Sequence, residues 1–283
     1  MKDKKIEDQL DYLSRATKVL FDYLKKDTSE DLKSIISADI KREEEVNEAM
    51  RTIWDSCLNE CLWRRPHVNG DDQSHFAHCL SFTKGGLCKD KRGKSRIYLK
   101  ADTGFWAEFG VFTGRTIHSL SQLCPEGKKV YGFDSFEGLG EDWENECEKG
   151  TFDLGGKPPE LISYVTELGE VKYEWPDNVE LHTGLFKTTI PKFLKQNDQK
   201  ASFIHIDCDL YSSTKTVLTL LKDRIQTGTV VCFDEFPPLN YPSDKRCELR
   251  AFAEFLLSTN LEYYPISFQT SEESFSKVGF LIL

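Results

Sequence analysis

The chain has 283 residues, of which 39% are hydrophobic, 12% aromatic and 30% charged, a composition typical of a globular protein that excludes a fibrous or disordered chain. Its net charge of −10 argues against nucleic acid as a partner, because a polyanion would be repelled. No apolar run approaches the roughly 20 residues that cross a bilayer, and the N-terminus is charged rather than signal-like, so we expect a cytoplasmic protein with no membrane contact.

Residues 1–100 are predicted to form a helical N-terminal extension followed by a connector. Apolar residues recur near helical spacing up to residue 62 and indicate two or three helices. Between residues 64 and 93, prolines, glycines and an Asp-Asp pair favour a loop-rich connector. The extension is a candidate for one wall of a pocket or for the surface of a homo-oligomer.

Cysteine and histidine are concentrated in one stretch of the chain, which raises the question of a zinc site. The residues concerned are Cys57, Cys61, His67, His75, His78, Cys79 and Cys88. They contain no C-x-x-C pair and fit no finger or ribbon spacing, so buried thiols and surface histidines are the favoured interpretation. The nine cysteines of the chain, which has no secretory signal, are expected to be reduced.

Residues 101–283 are predicted to form a single α/β domain, because short apolar runs alternate there with helical patterns. The predicted strands are 104–109, 129–134, 178–183, 202–207 and 229–234, and the predicted helices are 113–123, 188–197, 213–225 and 245–258. Two further strand-like runs, 263–269 and 277–283, flank a polar turn and predict a terminal antiparallel hairpin. The fold class is therefore a doubly wound, seven-stranded, mostly parallel sheet of Rossmann-like type.

The turn after the first strand, residues 108–116 (EFGVFTGRT), is the first candidate binding element. Gly110 and Gly114 would let a ligand approach the backbone closely, although they would equally permit tight packing of strand on helix. The N–H groups of the following helix suit a carboxylate, and Glu108 suits the α-amino group of the same ligand. The spacing lacks the third glycine of nicotinamide-binding proteins.

Two more strand ends suggest a nucleoside. Asp134 opens the motif DSFEG (134–138), where an acid can accept both hydroxyls of an adenosine ribose, with a helix cap as the alternative role. The third strand leads into GLFKTTIP (184–191), whose apolar side chains are suited to enclose an adenine ring.

Four carboxylates follow the fourth and fifth strands, in HIDCD (205–209) and CFDE (232–235). Acids crowded in one crevice repel one another, so a cation is their natural partner, and oxygen ligands favour Mg²⁺ or a similar ion. Ordinary helix caps and salt bridges are the alternative. A metal held here would acidify a coordinated hydroxyl and orient it for attack on a methyl group.

Taken in order, these motifs resemble the macrocin O-methyltransferase family, a branch of the class I S-adenosylmethionine-dependent methyltransferases. The resemblance covers residues 104–283 and includes DCDLYSST (207–214). It implies S-adenosylmethionine and Mg²⁺ as cofactors, with Asp207, Asp234 and Glu235 as metal ligands. It also implies a hydroxyl acceptor on a sugar of a glycan or glycosylated natural product.

The resemblance assigns parts of the cofactor to parts of the chain. Gly110 and Thr116 would contact its methionine end, Asp134 its ribose, and Leu185 with Phe186 its adenine. The full set expected around the cofactor is Glu108, Gly110, Phe112, Gly114, Thr116, Asp134, Ser135, Gly184, Leu185, Phe186 and Asp207.

One position departs from related enzymes. Catechol-type enzymes have a lysine three residues after the first metal aspartate and some sugar methyltransferases a histidine, whereas this chain has Leu210. Asp207 is the candidate catalytic base, acting as ligand and base together, while Asp209 and Tyr211 remain alternatives for which structural roles are favoured.

Other features leave alternatives open. The insertion at 139–175 is a candidate lid over the substrate or an ordinary surface excursion. Two other functions compete with methylation: a dinucleotide-binding oxidoreductase, disfavoured by the glycine spacing and the terminal hairpin, and a non-catalytic cofactor-binding scaffold, disfavoured by the complete set of acids.

Overall fold

The computed structural model describes residues 30–61, 63–66, 72–84, 86–89, 95–98, 103–143, 147–159, 162–166, 169–173, 175–236, 247–270 and 276–283. Its helices are α1 (Glu30–Glu60), α2 (Asp72–Ser81), α3 (Arg115–Leu123), α4 (Phe186–Gln196), α5 (Tyr211–Leu221) and α6 (Glu248–Thr259). Its strands are β1 (Trp63–Pro66), β2 (Gly86–Lys89), β3 (Ser95–Tyr98), β4 (Phe105–Phe109), β5 (Val130–Asp134), β6 (Ile162–Thr166), β7 (Gly169–Tyr173), β8 (Val179–Thr183), β9 (Ala201–Ile206), β10 (Val230–Phe236), β11 (Tyr263–Thr270) and β12 (Ser276–Ile282).

Eight strands form one sheet in the order β1-β11-β12-β10-β9-β4-β5-β8. Strands β10, β9, β4, β5 and β8 are parallel, and β12 lies antiparallel between β10 and β11. This arrangement is the class I methyltransferase fold and confirms the predicted seven-stranded sheet with its terminal hairpin. An eighth strand, β1, pairs in parallel with β11 at the edge.

The central strands β4 and β9 are mostly apolar because both faces of the sheet are covered, and Glu108 and His205 are their buried charged exceptions. Every residue of β4 and β9 is buried, as expected for parallel strands between two layers of helices. Aromatic rings fill much of this interior: Phe233, Phe252 and Phe280 have centroids 4.7 to 6.1 Å apart. The rigid sheet therefore fixes where its carboxyl edge presents side chains.

The connector between residues 64 and 93 is more ordered than expected. Its described part contains the end of β1, the helix α2, and β2, which pairs with β3 in an antiparallel hairpin. The loop-rich prediction was wrong because α2 has few apolar residues, yet three of them, Phe76, Cys79 and Leu80, are buried on one side of the helix. Tertiary packing, rather than a strong local pattern, supports this helix.

The chain divides into two compact units, Met1–Glu48 and Ala49–Leu283. The described part of the first unit is the beginning of α1, and the predicted helices before residue 30 lie outside the described residues. The second unit contains the whole sheet, and it begins upstream of the predicted boundary at residue 101. No helix within the described ranges is long and apolar enough to cross a membrane.

Candidate functional site

A cavity of about 580 Å³ opens at the carboxyl ends of the central parallel strands. It lies where the strand order reverses between β4 and β9, the switch point at which open α/β sheets bind ligands. The predicted site residues that line it are Gly110, Phe112, Thr116, Asp134, Ser135, Gly184, Leu185, Phe186, Asp207, Asp234 and Glu235. The two predicted cofactor residues outside the lining are Glu108 and Gly114.

Gly110 is required by the neighbouring main chain. Its φ is 89°, and a Cβ at this position would lie 1.6 Å from the carbonyl oxygen of Asp207. The ends of β4 and β9 also join directly, because the Asp207 N–H donates to the Phe109 carbonyl at 2.9 Å. Tight packing thus accounts for this glycine as fully as ligand approach does, and the same contact sets the position of Asp207.

Asp134 organises the turns on both sides of the cavity. Its Oδ2 accepts hydrogen bonds from the N–H groups of Val111 and Phe112 at 2.7 and 2.8 Å, and its Oδ1 accepts one from Phe136 at 2.7 Å. Phe112 and Phe136 have positive φ angles of 47° and 55°, which bulky residues rarely adopt. Since a carboxylate has about four acceptor sites, Asp134 has room for one ribose hydroxyl rather than both.

Helix α3 begins beside the cavity, but Gly114 and Glu108, which were predicted to contact the cofactor there, face the protein interior. Gly114 precedes the helix with a φ of 82°, and a Cβ there would lie 2.3 Å from the Trp175 ring. Glu108 is fully buried, where its Oε1 accepts a hydrogen bond from the Thr116 hydroxyl at 3.1 Å and its Oε2 lies 3.0 Å from His205 Nδ1. These contacts give Glu108 an interior structural role, and contact with an α-amino group stays a prediction.

A buried charge network connects β4, β9, β10 and β12. His205 lies between Glu108 and Asp234, with its Nε2 3.6 Å from Asp234 Oδ1, and Lys277 Nζ contacts the same oxygen at 2.5 Å. Burial alone would lower the pKa of His205, but its two carboxylate neighbours outweigh burial and raise that pKa to about 10. Burial alone would raise the pKa of Asp234, but His205 and Lys277 hold it well below its usual range.

A second group of acids lies next to this network. Burial, followed by repulsion from the other carboxylates, raises the pKa of Asp207, Glu235 and Glu248 well above the usual range. The same causes, with Asp234 and Asp134 as the nearby charges, raise the pKa of Asp209 to about 7. Asp209 is also held at a positive φ of 60°, a strained conformation typical of functional sites.

The three predicted metal ligands all line the cavity without forming one triad. Asp207, Asp209 and Glu235 offer oxygens within 4.8 Å of one another, and Asp207 forms a second such group with Asp234 and His205. Among the residues that the structure describes, the buried Oε2 of Glu235 has no hydrogen-bond partner, whereas Asp234 is paired with Lys277. Hard oxygen donors carrying excess negative charge fit a divalent cation such as Mg²⁺.

Aromatic and apolar side chains form the other walls of the cavity. Phe112 is 40% and Phe152 39% exposed, and their rings meet edge to face with centroids 5.2 Å apart. Leu185, at the start of α4, is 49% exposed. Exposed apolar groups of this size beside a polar edge suit a ligand that has both a flat ring and charged ends.

Several residues of the site were not singled out from the sequence. Lys277 lies in the terminal hairpin and belongs to no motif, and Glu248 begins α6, where its Oε2 accepts a hydrogen bond from the Glu235 N–H at 3.1 Å. His205 lies in the motif HIDCD (205–209), and its position two residues before Asp207 was the one indication in the sequence that it belongs to the site. The contacts of Lys277 and Glu248 join distant parts of the chain, which local patterns do not reveal.

Residues 107–236, less than half of the chain, match the family model described as a methyltransferase domain. Among solved structures, the calicheamicin methyltransferase CalS11 is 21% identical, covers 63% of this chain and 72% of its own, and has a TM-score of 0.46. The O-methyltransferase NovP is 18% identical with coverages of 63% and 71% and a TM-score of 0.43. An O-methyltransferase from Bacillus cereus in complex with SAH is 11% identical with coverages of 85% and 90% and a TM-score of 0.45. No curated protein matches the chain.

The fold and the matched domain define the class of this protein: it is a methyltransferase with the Rossmann-like fold of enzymes that use S-adenosylmethionine. The matched region runs from β4 to the end of β10 and therefore contains the glycine turn, Asp134 and the acid cluster. The prediction of a methyltransferase is confirmed, and the competing oxidoreductase interpretation has no support.

Proposed function

We propose that the protein is a metal-dependent O-methyltransferase that transfers the methyl group of S-adenosylmethionine to a hydroxyl of a sugar, on a glycan or a glycosylated natural product. The observation that carries the proposal is a single cavity that joins the Gly110 turn and Asp134 to the acids of β9 and β10. A cofactor seated at the first two elements would direct its methyl group toward the acids, where an acceptor can be held.

The cofactor is expected to lie along the carboxyl edge of β4, β5 and β8. Its carboxylate would face the N–H groups at the start of α3 near Thr116, one ribose hydroxyl would donate to Asp134, and the adenine would rest against Leu185 and Phe186. The cavity lining supports each assignment. Glu108 is fully buried behind these elements, so its contact with the α-amino group stays a prediction.

For the metal we propose Asp207, Asp209 and Glu235 as the protein ligands. The mutual proximity of their oxygens supports this set, and so does the Oε2 of Glu235, which has no hydrogen-bond partner in the described part of the chain. The charge of Asp234, by contrast, is balanced by Lys277. A bound Mg²⁺ would supply a lowered pKa for a coordinated hydroxyl and neutralise the clustered charge. Two adjacent sugar hydroxyls suit the open positions of such an ion.

The chain's own residues would then move the proton and exclude water. Asp207 borders both acid groups, and its carboxylate would accept the hydroxyl proton as the new C–O bond forms and the methyl–sulfur bond breaks. Phe112 and Phe152 would cover the reacting groups from solvent. Leu210, at the position of the usual lysine, is buried and offers no proton-accepting group.

Titration of Mg²⁺ into four proteins tests the ligand set by calorimetry. Wild type and Asp198→Asn, a matched change of a fully exposed aspartate, should bind the ion equally. Asp209→Asn should weaken binding at least about tenfold, a loss of roughly 1.4 kcal/mol, and Asp234→Asn should have a smaller effect. If Asp234→Asn loses Mg²⁺ binding and Asp209→Asn retains it, the proposed ligand set is wrong and the set predicted from the sequence, Asp207, Asp234 and Glu235, is favoured.

Transfer of a labelled methyl group to acceptors tests the reaction. The panel should contain nucleotide sugars, glycosides with adjacent hydroxyls and a catechol, each with Mg²⁺ or with chelator. We expect label on a sugar hydroxyl only with metal, and at least about a hundredfold less in Asp207→Asn. Chelator-resistant transfer would reject metal dependence, and labelling of the catechol alone would reject the sugar acceptor.

A further inference from the structure

A second cluster of potential metal ligands lies inside the protein, and its residues do not line the cavity. His75 and Cys79 lie one turn apart on α2, and Cys232 comes from the middle of β10. Each of the three side chains is at most 1% exposed. One nitrogen or sulfur atom from each residue lies within 4.8 Å of the other two, which is a group able to hold a metal ion.

The distance between Cys79 and His75 resembles the edge of a tetrahedral metal site. Cys79 Sγ lies 3.9 Å from His75 Nε2, which is long for a hydrogen bond. Zinc bonds of about 2.3 Å to sulfur and about 2.0 Å to nitrogen give a tetrahedral edge of about 3.6 Å, close to this value. Ser267 Oγ on β11 lies 3.1 Å from Cys79 Sγ, which makes it the candidate for a fourth ligand.

The neighbouring strand leaves space for these sulfur atoms. A Cβ at Gly279 of β12 would lie 2.6 Å from Cys79 Sγ, 3.4 Å from Cys232 Sγ and 2.5 Å from Ser267 Oγ. Glycine is therefore the residue that permits the two thiols and the hydroxyl to converge. The alternative explanation is a metal-free group of core residues in which Cys79 forms hydrogen bonds with His75 and Ser267, and the metal content of the protein distinguishes the two.

Charge balance also favours a cation at this point. Two thiolates and a neutral imidazole would form an uncharged unit with a divalent ion, which removes the penalty of burying charge beside the sheet. Thiolate and imidazole ligands select zinc, whereas the carboxylates of the cavity select magnesium. The two sites would thus bind different ions by different chemistry.

We propose that His75, Cys79 and Cys232, with Ser267 as the fourth ligand, form a structural zinc site that fastens α2 to β10 and β11. The sequence did not reveal this site because Cys79 and Cys232 are 153 residues apart in the chain, and the ligands match no zinc-finger spacing. A closed site without an open coordination position is typical of structural zinc. Its consequence is that α2, which has few apolar residues of its own, docks stably on the sheet.

Metal analysis of the full chain tests the proposal. Protein produced with zinc and dialysed should retain about one zinc ion per chain, and a Cys79→Ser/Cys232→Ser variant should retain less than about a tenth of that. The matched control is Cys57→Ser, which alters an equally buried thiol that is in none of the ligand groups formed by the described residues. Asp209→Asn should leave the zinc content unchanged, which separates this site from the proposed magnesium site.

Cobalt substitution gives a readout that does not depend on the stability of the variants. Wild-type protein loaded with Co²⁺ should show a sulfur-to-cobalt charge-transfer band and the intense visible bands of tetrahedral cobalt. A strong chelator should remove both and lower the melting temperature by several degrees. Three results would each overturn the proposal. They are wild-type protein that retains no zinc and shows no cobalt bands, a Cys79–Cys232 disulfide detected by mass spectrometry, and equal zinc content in wild type and the double variant.

Discussion

Replacement of Gly110 by alanine should damage the protein far more than the same change at another glycine with similar backbone geometry. Gly110 has a φ of 89°, and its added Cβ would lie 1.6 Å from the Asp207 carbonyl oxygen. Gly127 has a φ of 79°, and a Cβ there would meet nothing within 4 Å. The two variants therefore share the backbone cost and differ only in the clash.

The magnitudes follow from these two contributions. A left-handed conformation costs an ordinary residue about 1–2 kcal/mol, which is the whole expected effect at Gly127. At Gly110 the clash adds the cost of an overpacked interior, about 1–3 kcal/mol, and it cannot be relieved by rotating a side chain because the opposing atom is main chain. The ends of β4 and β9 must separate instead, which displaces Asp207.

Equilibrium urea unfolding of wild type, Gly110→Ala and Gly127→Ala would measure both effects, with calorimetric titration of S-adenosylmethionine as a second readout. We expect Gly110→Ala to lose about 2–5 kcal/mol of stability and its cofactor binding, while Gly127→Ala keeps binding. Equal loss of stability in the two variants, or normal binding by Gly110→Ala, would refute the role assigned to the contact with Asp207.

Three other changes probe the polar interior. Lys277→Met removes the cation beside Asp234, so the pKa of that carboxyl should rise and the free energy of unfolding should fall by about 3–5 kcal/mol at neutral pH, which urea unfolding would measure. The pKa of His205 is raised from 6.5 to about 10, so its contribution to stability is complete below pH 6.5 and is lost as the pH rises toward 10. The free energy of unfolding of the wild type should therefore decline between pH 6.5 and 10, while that of His205→Gln stays flatter. Asp134→Asn leaves a single acceptor oxygen for three N–H donors, so thermal melting should show about 1–3 kcal/mol of destabilisation, and an unchanged melting temperature would contradict its role in the turns.

The central fold was predictable because the signals were local and repeated. Buried strands such as β4 and β9 are predominantly apolar runs, and the Gly110 turn follows β4 at the expected edge. The strand order confirmed the terminal hairpin, which the polar turn between its two runs had indicated. The edge strand β1 was missed because four residues with a proline and two arginines carry little strand signal.

The sequence predicted where the site lies in the fold, but it did not predict most of the contacts between the residues of the site. Asp134 and Asp207 follow strands and therefore had to meet at the carboxyl edge. The partner of Asp234 is Lys277, 43 residues further along the chain, and no spacing rule connects the two. Cys79 and Cys232 meet for the same kind of reason, since packing of α2 on the sheet brings them together.

The most direct test of the central claim is calorimetric titration of S-adenosylmethionine and S-adenosylhomocysteine into the folded wild-type protein. We predict saturable binding of both at about one site per chain, at least about tenfold weaker in Asp134→Ala. Absence of binding by either compound to protein that unfolds cooperatively would contradict the assignment of the cavity as the cofactor site.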